Sequence, residues 1–180
     1  MPTRRIHVVG ASGAGVTTLG RALADALSIP HHDTDDYYWL PTDPPYQQVR
    51  HVADRLRLMR EMFLDRSDWV LSGSLDEWGG AVIALFDLVV YLTVPTDVRL
   101  ERLREREARR IGGSVGPDDP RWRESEDFIE WASHYDDGTR EGRNLQRHVA
   151  WLATLHCRVI RLDGTRATDD LVRMTLAELA

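Results

Sequence analysis

The sequence contains no lysine: all 23 of its Lys+Arg residues are arginines. Asn144 is its one asparagine and Cys157 its one cysteine. Lysine and asparagine share A-rich codons, so a GC-rich coding sequence accounts for both scarcities, but the chemical consequence holds whatever the cause. Any side chain that must stay cationic at a phosphate is a guanidinium. A lone cysteine excludes an internal disulfide and fits a reducing cytoplasm, the expected location. No apolar run approaches the ~20 residues of a membrane span, and the run after Arg4 and Arg5 is too short for a signal peptide. The formal net charge of -6 argues against a broad basic surface for nucleic acid. There is no internal repeat or low-complexity tract, and 180 residues predict one domain spanning 1–180, as a monomer or homodimer.

Against those absences stands one glycine-rich stretch, Gly10-Ala11-Ser12-Gly13-Ala14-Gly15-Val16-Thr17-Thr18. It follows the apolar run Ile6–Val9 and opens a helical pattern that runs to residue 28. A glycine turn between a strand and a helix cradles phosphate, because backbone N–H groups and the helix N-terminus converge on the anion. Gly10, Gly15 and Thr17 match the P-loop spacing G-x-x-x-x-G-K-[ST], and Thr17 occupies the position that binds Mg²⁺. The lysine slot holds Val16, so this is a Walker A variant without its cation.

Further on, Ile29–Asp33 reads as a second strand, with Asp33 and Asp35 pointing the same way if the segment stays extended. Carboxylates beyond a strand's carboxyl end can hold Mg²⁺ or accept a proton from a substrate hydroxyl. His31 and His32 lack partners at metal-ligand spacing and read as structural or surface residues. Residues 46–66 predict an amphipathic helix with Val49, Val52, Ala53, Leu56, Met59 and Phe63 on its apolar face. Asp68–Ser74 reads as a third strand whose small exit residues, Gly73 and Ser74, allow close approach of a ligand. A helix over 75–85 places Trp78 as core or as an aromatic wall for an acceptor.

Asp87–Val94 is the clearest strand. The helix after Pro95 carries Arg99, Arg102, Arg106 and Arg109 as one stripe, balanced by glutamates or available to phosphate oxygens. Residues 111–120 form a glycine-bearing loop or lid. Residues 121–155 turn helical, interrupted near 136–138, with Arg140, Arg143 and Arg147 as a second stripe. Trp122, Phe128, Trp131, Trp151 and Leu152 read as packing residues. Cys157–Leu162 is a fifth strand, followed by the turn 163–166 and a helix over 168–179. Strands alternating with helices predict a three-layer α/β P-loop fold with a parallel sheet.

These features resemble the nucleoside monophosphate kinase group, of the adenylate kinase and shikimate kinase types. The resemblance rests on Gly10–Thr18, Asp33-Thr34-Asp35, Val90–Pro95 leading into Glu101-Arg102-Leu103, and Leu162–Arg166. It implies a five-stranded sheet of order 2-3-1-4-5 and a lid insertion at about 107–140. By resemblance, Arg102, Arg106 and Arg143 (and Arg140) serve the transferring phosphate. Gly164, Thr165 and Arg166 line the adenine site. Asp33 lies near Mg²⁺ and Asp35 near the acceptor hydroxyl, with Trp39, Gly73, Ser74 and Trp78 around the acceptor. Gly10, Ser12, Gly13, Ala14, Gly15, Val16, Thr17, Thr18 and Arg102 would hold ATP, or GTP. The resemblance breaks after the third strand, where Ser72-Gly73-Ser74-Leu75-Asp76 lacks the arginine and aromatic that hold AMP in adenylate kinase. The expected activity is phosphoryl transfer from Mg²⁺·ATP to a small-molecule or nucleotide acceptor, with a lid arginine replacing the lysine. A slow ATPase or nucleotide-gated regulator, and a pseudoenzyme that binds no nucleotide, are the alternatives.

Overall fold

The computed structural model describes residues 4–76, 78–112 and 116–179. Five parallel strands form one sheet: β1 (Arg4–Gly10), β2 (His31–Asp33), β3 (Asp68–Ser72), β4 (Leu88–Thr93) and β5 (Arg158–Asp163). Their spatial order is β2-β3-β1-β4-β5, the order the resemblance implies. Register is regular through the centre: Ile6 pairs with Val70 on one side and Leu88 on the other, and Val8 with Ser72 and Val90.

Side-chain alternation along each strand builds two cores. Ile6, Val8, Leu88, Val90 and Leu92 face the helices α1 (Val16–Leu27) and α8 (Thr168–Ala177), where Leu19, Leu23 and Leu171 close the layer. Val9, Leu71, Val89 and Tyr91 face the other way, toward Met59, Phe63, Trp69 and Leu152. Both faces are covered, which explains why β4 reads as a continuous apolar run rather than an alternating one. Fully burying one such leucine contributes about 1.5–3 kcal/mol.

The remaining helices are α2 (Thr34–Tyr38), α3 (Val52–Met59), α4 (Gly80–Ile83), α5 (Thr96–Ile111), α6 (Pro120–Ser133) and α7 (Leu145–Leu152). α3 continues into a π-helical turn at Arg60–Leu64. α6 packs on α5 through Leu103, Ile129 and Ala132.

Four local expectations are corrected. The helix over 46–66 starts only at Val52. The segment before it closes on itself through Leu40 N–H to Gln48 O, Arg50 N–H to Tyr38 O and a Trp39–Val49 bridge. Val49, Val52 and Ala53 consequently lie exposed, while Arg55 is buried. The helix over 75–85 shrinks to the single turn of α4, and before it Trp78 N–H and Gly79 N–H both bond Leu75 O. The break in 121–155 spans 134–144, so Arg140 and Arg143 lie on a loop and share no helical stripe with Arg147. Finally, Asp33 and Asp35 do not alternate along one strand. β2 ends at Asp33, which caps α2 by accepting the Asp35 N–H at 3.1 Å.

Candidate active site

The loop between β1 and α1 is shaped by contacts that leave little room for side chains. A Cβ on Gly10 would stand 2.7 Å from Leu92 O, and one on Gly13 (φ 81°) would stand 2.6 Å from Arg99 O. Gly15 enters α1 at φ 91°, a conformation glycine adopts without penalty. Ala14 N–H bonds Ala11 O at 3.1 Å. No side chain caps α1, so the N–H groups of its first turn, at Val16, Thr17 and Thr18, stay available to an anion. Val16 is half-buried and packs on the α1-side core, its Cγ1 close to Gly10. Thr18 is exposed beside it.

Thr17 and Asp33 meet at the mouth of the loop. Thr17 Oγ1 donates to Asp33 Oδ2 at 2.8 Å. The same carboxylate oxygen has Ser72 Oγ behind it at 3.5 Å, and His31 Nε2 bonds Ser72 Oγ at 2.8 Å. Gly20 makes room for that histidine, since a Cβ there would stand 2.9 Å from Nε2. His31 is thus a brace rather than a surface residue, and burial lowers its pKa. One carboxylate and one hydroxyl are the oxygen donors a phosphate-bound Mg²⁺ asks of a protein, so Thr17 and Asp33 fit that ion. Among the described residues, no group of three or more acidic, histidine or cysteine side chains forms a self-sufficient metal site.

Asp35 stands one turn into α2. Its carboxylate opens to solvent on one side, but protein crowds it on the others. Desolvation, with the Asp33 charge adding to it, pushes its pKa up to about 6, while the nearby Arg143 and Arg106 guanidinium groups pull the other way. Both guanidinium groups lie near enough to act on that carboxylate through charge.

The arginines divide by partner. Arg143 Nη2 donates to Ser12 Oγ at 2.6 Å, and its buried Nε has no partner. Burial lowers the Arg143 pKa, opposed by Asp35, yet a guanidinium stays charged. Arg102 donates to Gly164 O at 3.1 and 3.2 Å and approaches Gly13 O at 3.5 Å, which ties the P-loop to the turn after β5. Arg106 pairs with Glu107 at 3.1 Å and lies over the Phe128 ring. The stripe expected on α5 is divided further. Arg99 is fully buried, bonded to Val94 O, Ala132 O, Thr96 and Asp136, and Arg109 pairs with Glu105. Arg140 is held by Glu130 and Arg147 by Asp76 and Gly142 O, so the second stripe contributes Arg143 to the cleft.

In the turn after β5, Gly164 N–H bonds Thr93 O at 2.9 Å and a Cβ there would strike Val94 and Ala14 O. Thr165 is engaged with Asp163 through both N–H and Oγ1, and Arg166 is exposed.

At the other end of the cleft, Gly73 (φ 110°) leaves β3 so close to Thr34 that a Cβ would overlap Thr34 Oγ1 at 1.9 Å. Ser74 Oγ accepts the Asp76 N–H at 3.3 Å. Trp39 lies against Tyr38 and Tyr46, while Trp78 is buried. Sequence reasoning missed Arg55 here. Its guanidinium lies 4.0 Å from the Tyr38 ring centroid and 5.2 Å from that of Trp78, with Nε bonded to Arg50 O at 2.6 Å. The available signal was its position one turn before Met59 on the buried face of α3, where a charge needs a reason.

A parallel sheet with a glycine loop and a Thr–Asp pair at its carboxyl edge defines the P-loop kinase class of nucleotide-binding domain. The AAA domain family model, AAA_18, matches residues 6–127, and the chain belongs to this P-loop, nucleoside monophosphate kinase-like family. The Bacillus subtilis (strain 168) protein named Uncharacterized protein YqaC is 38% identical over 177 residues, 98% of each chain. Cytidylate kinase of Haloarcula marismortui is 31% identical over 113 residues, 57% of this chain and 58% of its own length. The structure of shikimate kinase from Acinetobacter baumannii in complex with shikimate shares the fold, with TM-score 0.59 and 19% identity over 98% of this chain and 93% of that one. Relatives named as kinases thus occur both by sequence and by structure. None of the helices described is long and apolar enough to cross a membrane.

Proposed function

We propose that this chain is an Mg²⁺·ATP-dependent small-molecule kinase in which Arg143 supplies the cation missing at Val16. The observation that carries the reading is the 2.6 Å bond from Arg143 to Ser12, inside the P-loop, by a guanidinium whose charge also acts on Asp35. Phosphoryl transfer depends on positioning and on neutralising charge spread over the phosphate oxygens. Loop N–H groups and the α1 terminus hold the β-phosphate, and Arg143 stands where the transferring group passes toward the acceptor. Arg102 steadies the floor between P-loop and nucleotide turn through Gly13 and Gly164. Thr17 and Asp33 would hold Mg²⁺, which supplies charge neutralisation to the phosphate oxygens when bound.

Asp35 accepts the proton of the acceptor hydroxyl. The freed oxygen forms its bond to the γ-phosphorus as the bond to the β–γ bridging oxygen breaks, and ADP leaves. At the far end, Arg55 between Tyr38 and Trp78 suits an acceptor with an anionic group beside an apolar face. A hydroxy acid, the chemistry of shikimate in the structural neighbour, meets both requirements.

A coupled assay with Mg²⁺·ATP and a panel of hydroxy acids, sugar acids and nucleoside monophosphates tests this reading. Acceptor-dependent ADP release that falls sharply in Arg143→Ala supports it. ADP release indifferent to every acceptor would instead identify an ATPase or nucleotide-gated regulator, and absence of Mg²⁺·ATP binding in calorimetry would identify a pseudoenzyme.

A further inference from the structure

Two stacked rings on α6 lie beneath Arg106 and Arg143. Phe128 and Trp131 sit one turn apart, their centroids 6.0 Å apart and their planes inclined by 27°. The Arg106 guanidinium lies 5.4 Å from the Phe128 centroid and that of Arg143 lies 5.6 Å from the Trp131 centroid. Trp131 touches more of the Arg143 loop than its cation. Its indole Nε1–H donates to Glu141 O at 3.0 Å, and a methyl added at Gly142 would stand 3.7 Å from the ring. Gly142 itself is at φ 95°, so the chain turns there against the indole and delivers Arg143 toward the P-loop. The end of the loop is pinned separately, by Leu145 N–H to Tyr135 O at 2.8 Å and by Asn144 capping α7.

The geometry points to Trp131, stacked on Phe128, as an aromatic platform that sets the Arg143 guanidinium toward the transferring phosphate before nucleotide arrives. Trp131 is the positioning residue, acting on Glu141, Gly142 and Arg143 in succession. A cation held over a ring face keeps its N–H edges free for an anion, whereas pairing with a carboxylate would occupy them. That distinction separates Arg143 from the α5 surface, where Arg106, Arg109 and Arg110 are all matched by glutamates. The same ring packs against Leu103, Ile129 and Ala132, so the platform is tied to the core of the lid rather than to its exposed loop. The inference rests on the reading of Arg143 as a phosphate ligand.

A double-mutant cycle read by Mg²⁺·ATP calorimetry tests it, with melting temperature followed in parallel. Trp131→Leu keeps an apolar body and removes both ring and donor. It should weaken ATP binding about fivefold to tenfold, the scale of one hydrogen bond and one cation–ring contact. Trp131→Phe should recover part of that loss, because it restores the ring without the N–H. In an Arg143→Ala background neither change should weaken binding further. Equal losses in both backgrounds, or unchanged affinity in Trp131→Leu, would overturn the platform while leaving Arg143 as the ligand. Unchanged affinity in Arg143→Ala would overturn the reading of Arg143 and the platform with it. Trp131→Phe carries the cycle if the leucine variant fails to fold.

Discussion

Arg143 Nη2 and Ser12 Oγ are 2.6 Å apart although 131 positions separate them in the chain. Ser12 lies in the phosphate loop after β1, and Arg143 in the loop between α6 and α7. The contact puts a guanidinium beside a P-loop whose own lysine position is a half-buried valine packed on the core.

Removing that guanidinium should cost catalysis rather than folding. Arg143→Ala is expected to lower kcat/KM by about 10²–10³, equivalent to about 2.7–4 kcal/mol, the scale of losing one oxyanion-type donor. Arg102→Ala should differ in kind, raising the KM for nucleotide more than it lowers kcat, because its bonds go to Gly13 O and Gly164 O. Steady-state kinetics on both variants separate the roles, and identical profiles would refute the division.

Restoring the P-loop lysine should not rescue anything. Val16→Lys is expected to change kcat/KM by less than about threefold, since on the proposed reading the Arg143 guanidinium at Ser12 already supplies the cation. A large gain in the same assay would mean that no arginine compensates.

The raised pKa of Asp35 sets a pH profile. Desolvation and the charge of Asp33 push it up to about 6. Below that value the carboxyl is protonated and cannot accept a proton from the acceptor hydroxyl. The rate is therefore expected to fall about tenfold per pH unit below about pH 6 and to plateau above it. Asp35→Asn should abolish the inflection along with most of the activity. An inflection that survives in Asp35→Asn assigns the base to another group.

Stability should have its own acid limit. His7 is fully buried and His148 nearly so, and desolvation lowers their pKa values to about 4 and about 3. His7 bonds Leu71 O, and His148 Nδ1 bonds the Tyr135 hydroxyl, which also meets Tyr91. Each folded-state pKa lies below the ordinary value of 6.5, so the unfolded chain takes up protons first. Stability is complete above pH 6.5 and is lost as pH falls toward the folded values. Each histidine contributes a slope of up to about 1.4 kcal/mol per pH unit. Denaturant titrations between pH 7 and 4.5 should show this decline. His148→Gln, which can still accept from Tyr135, should make it shallower; an unchanged slope would exclude His148 from it.

The strands and the loop were legible because their signals are local. Apolar runs such as Leu88–Leu92, the glycine spacing of Gly10–Gly15 and the helix start after Pro95 depend on residues adjacent in the chain. The errors lie where distant contacts override a local pattern. Helical periodicity suggested a helix from residue 46, but Trp39 pairs with Val49 and holds that segment as a closed loop. An i, i+3, i+7 spacing suggested that Arg140, Arg143 and Arg147 share a helix face, but Trp131 holds Glu141 O and Gly142 turns the chain at positive φ. Arg55 escaped notice because its aromatic neighbours come from α2 and from the turn before α4.

By itself, the sequence determined that the phosphate loop lacks its lysine and that any substitute on this chain is a guanidinium, since identity and count are properties of the chain alone. Which arginine meets the loop was decided only by tertiary structure. Arg99, Arg102, Arg106, Arg109, Arg140 and Arg143 carry the same charge, and their partners distinguish them: backbone carbonyls, glutamates, a buried scaffold, or the P-loop serine. Those partners lie tens of residues away for several of these side chains, and only folding brings them within the short range at which a guanidinium selects among acceptors.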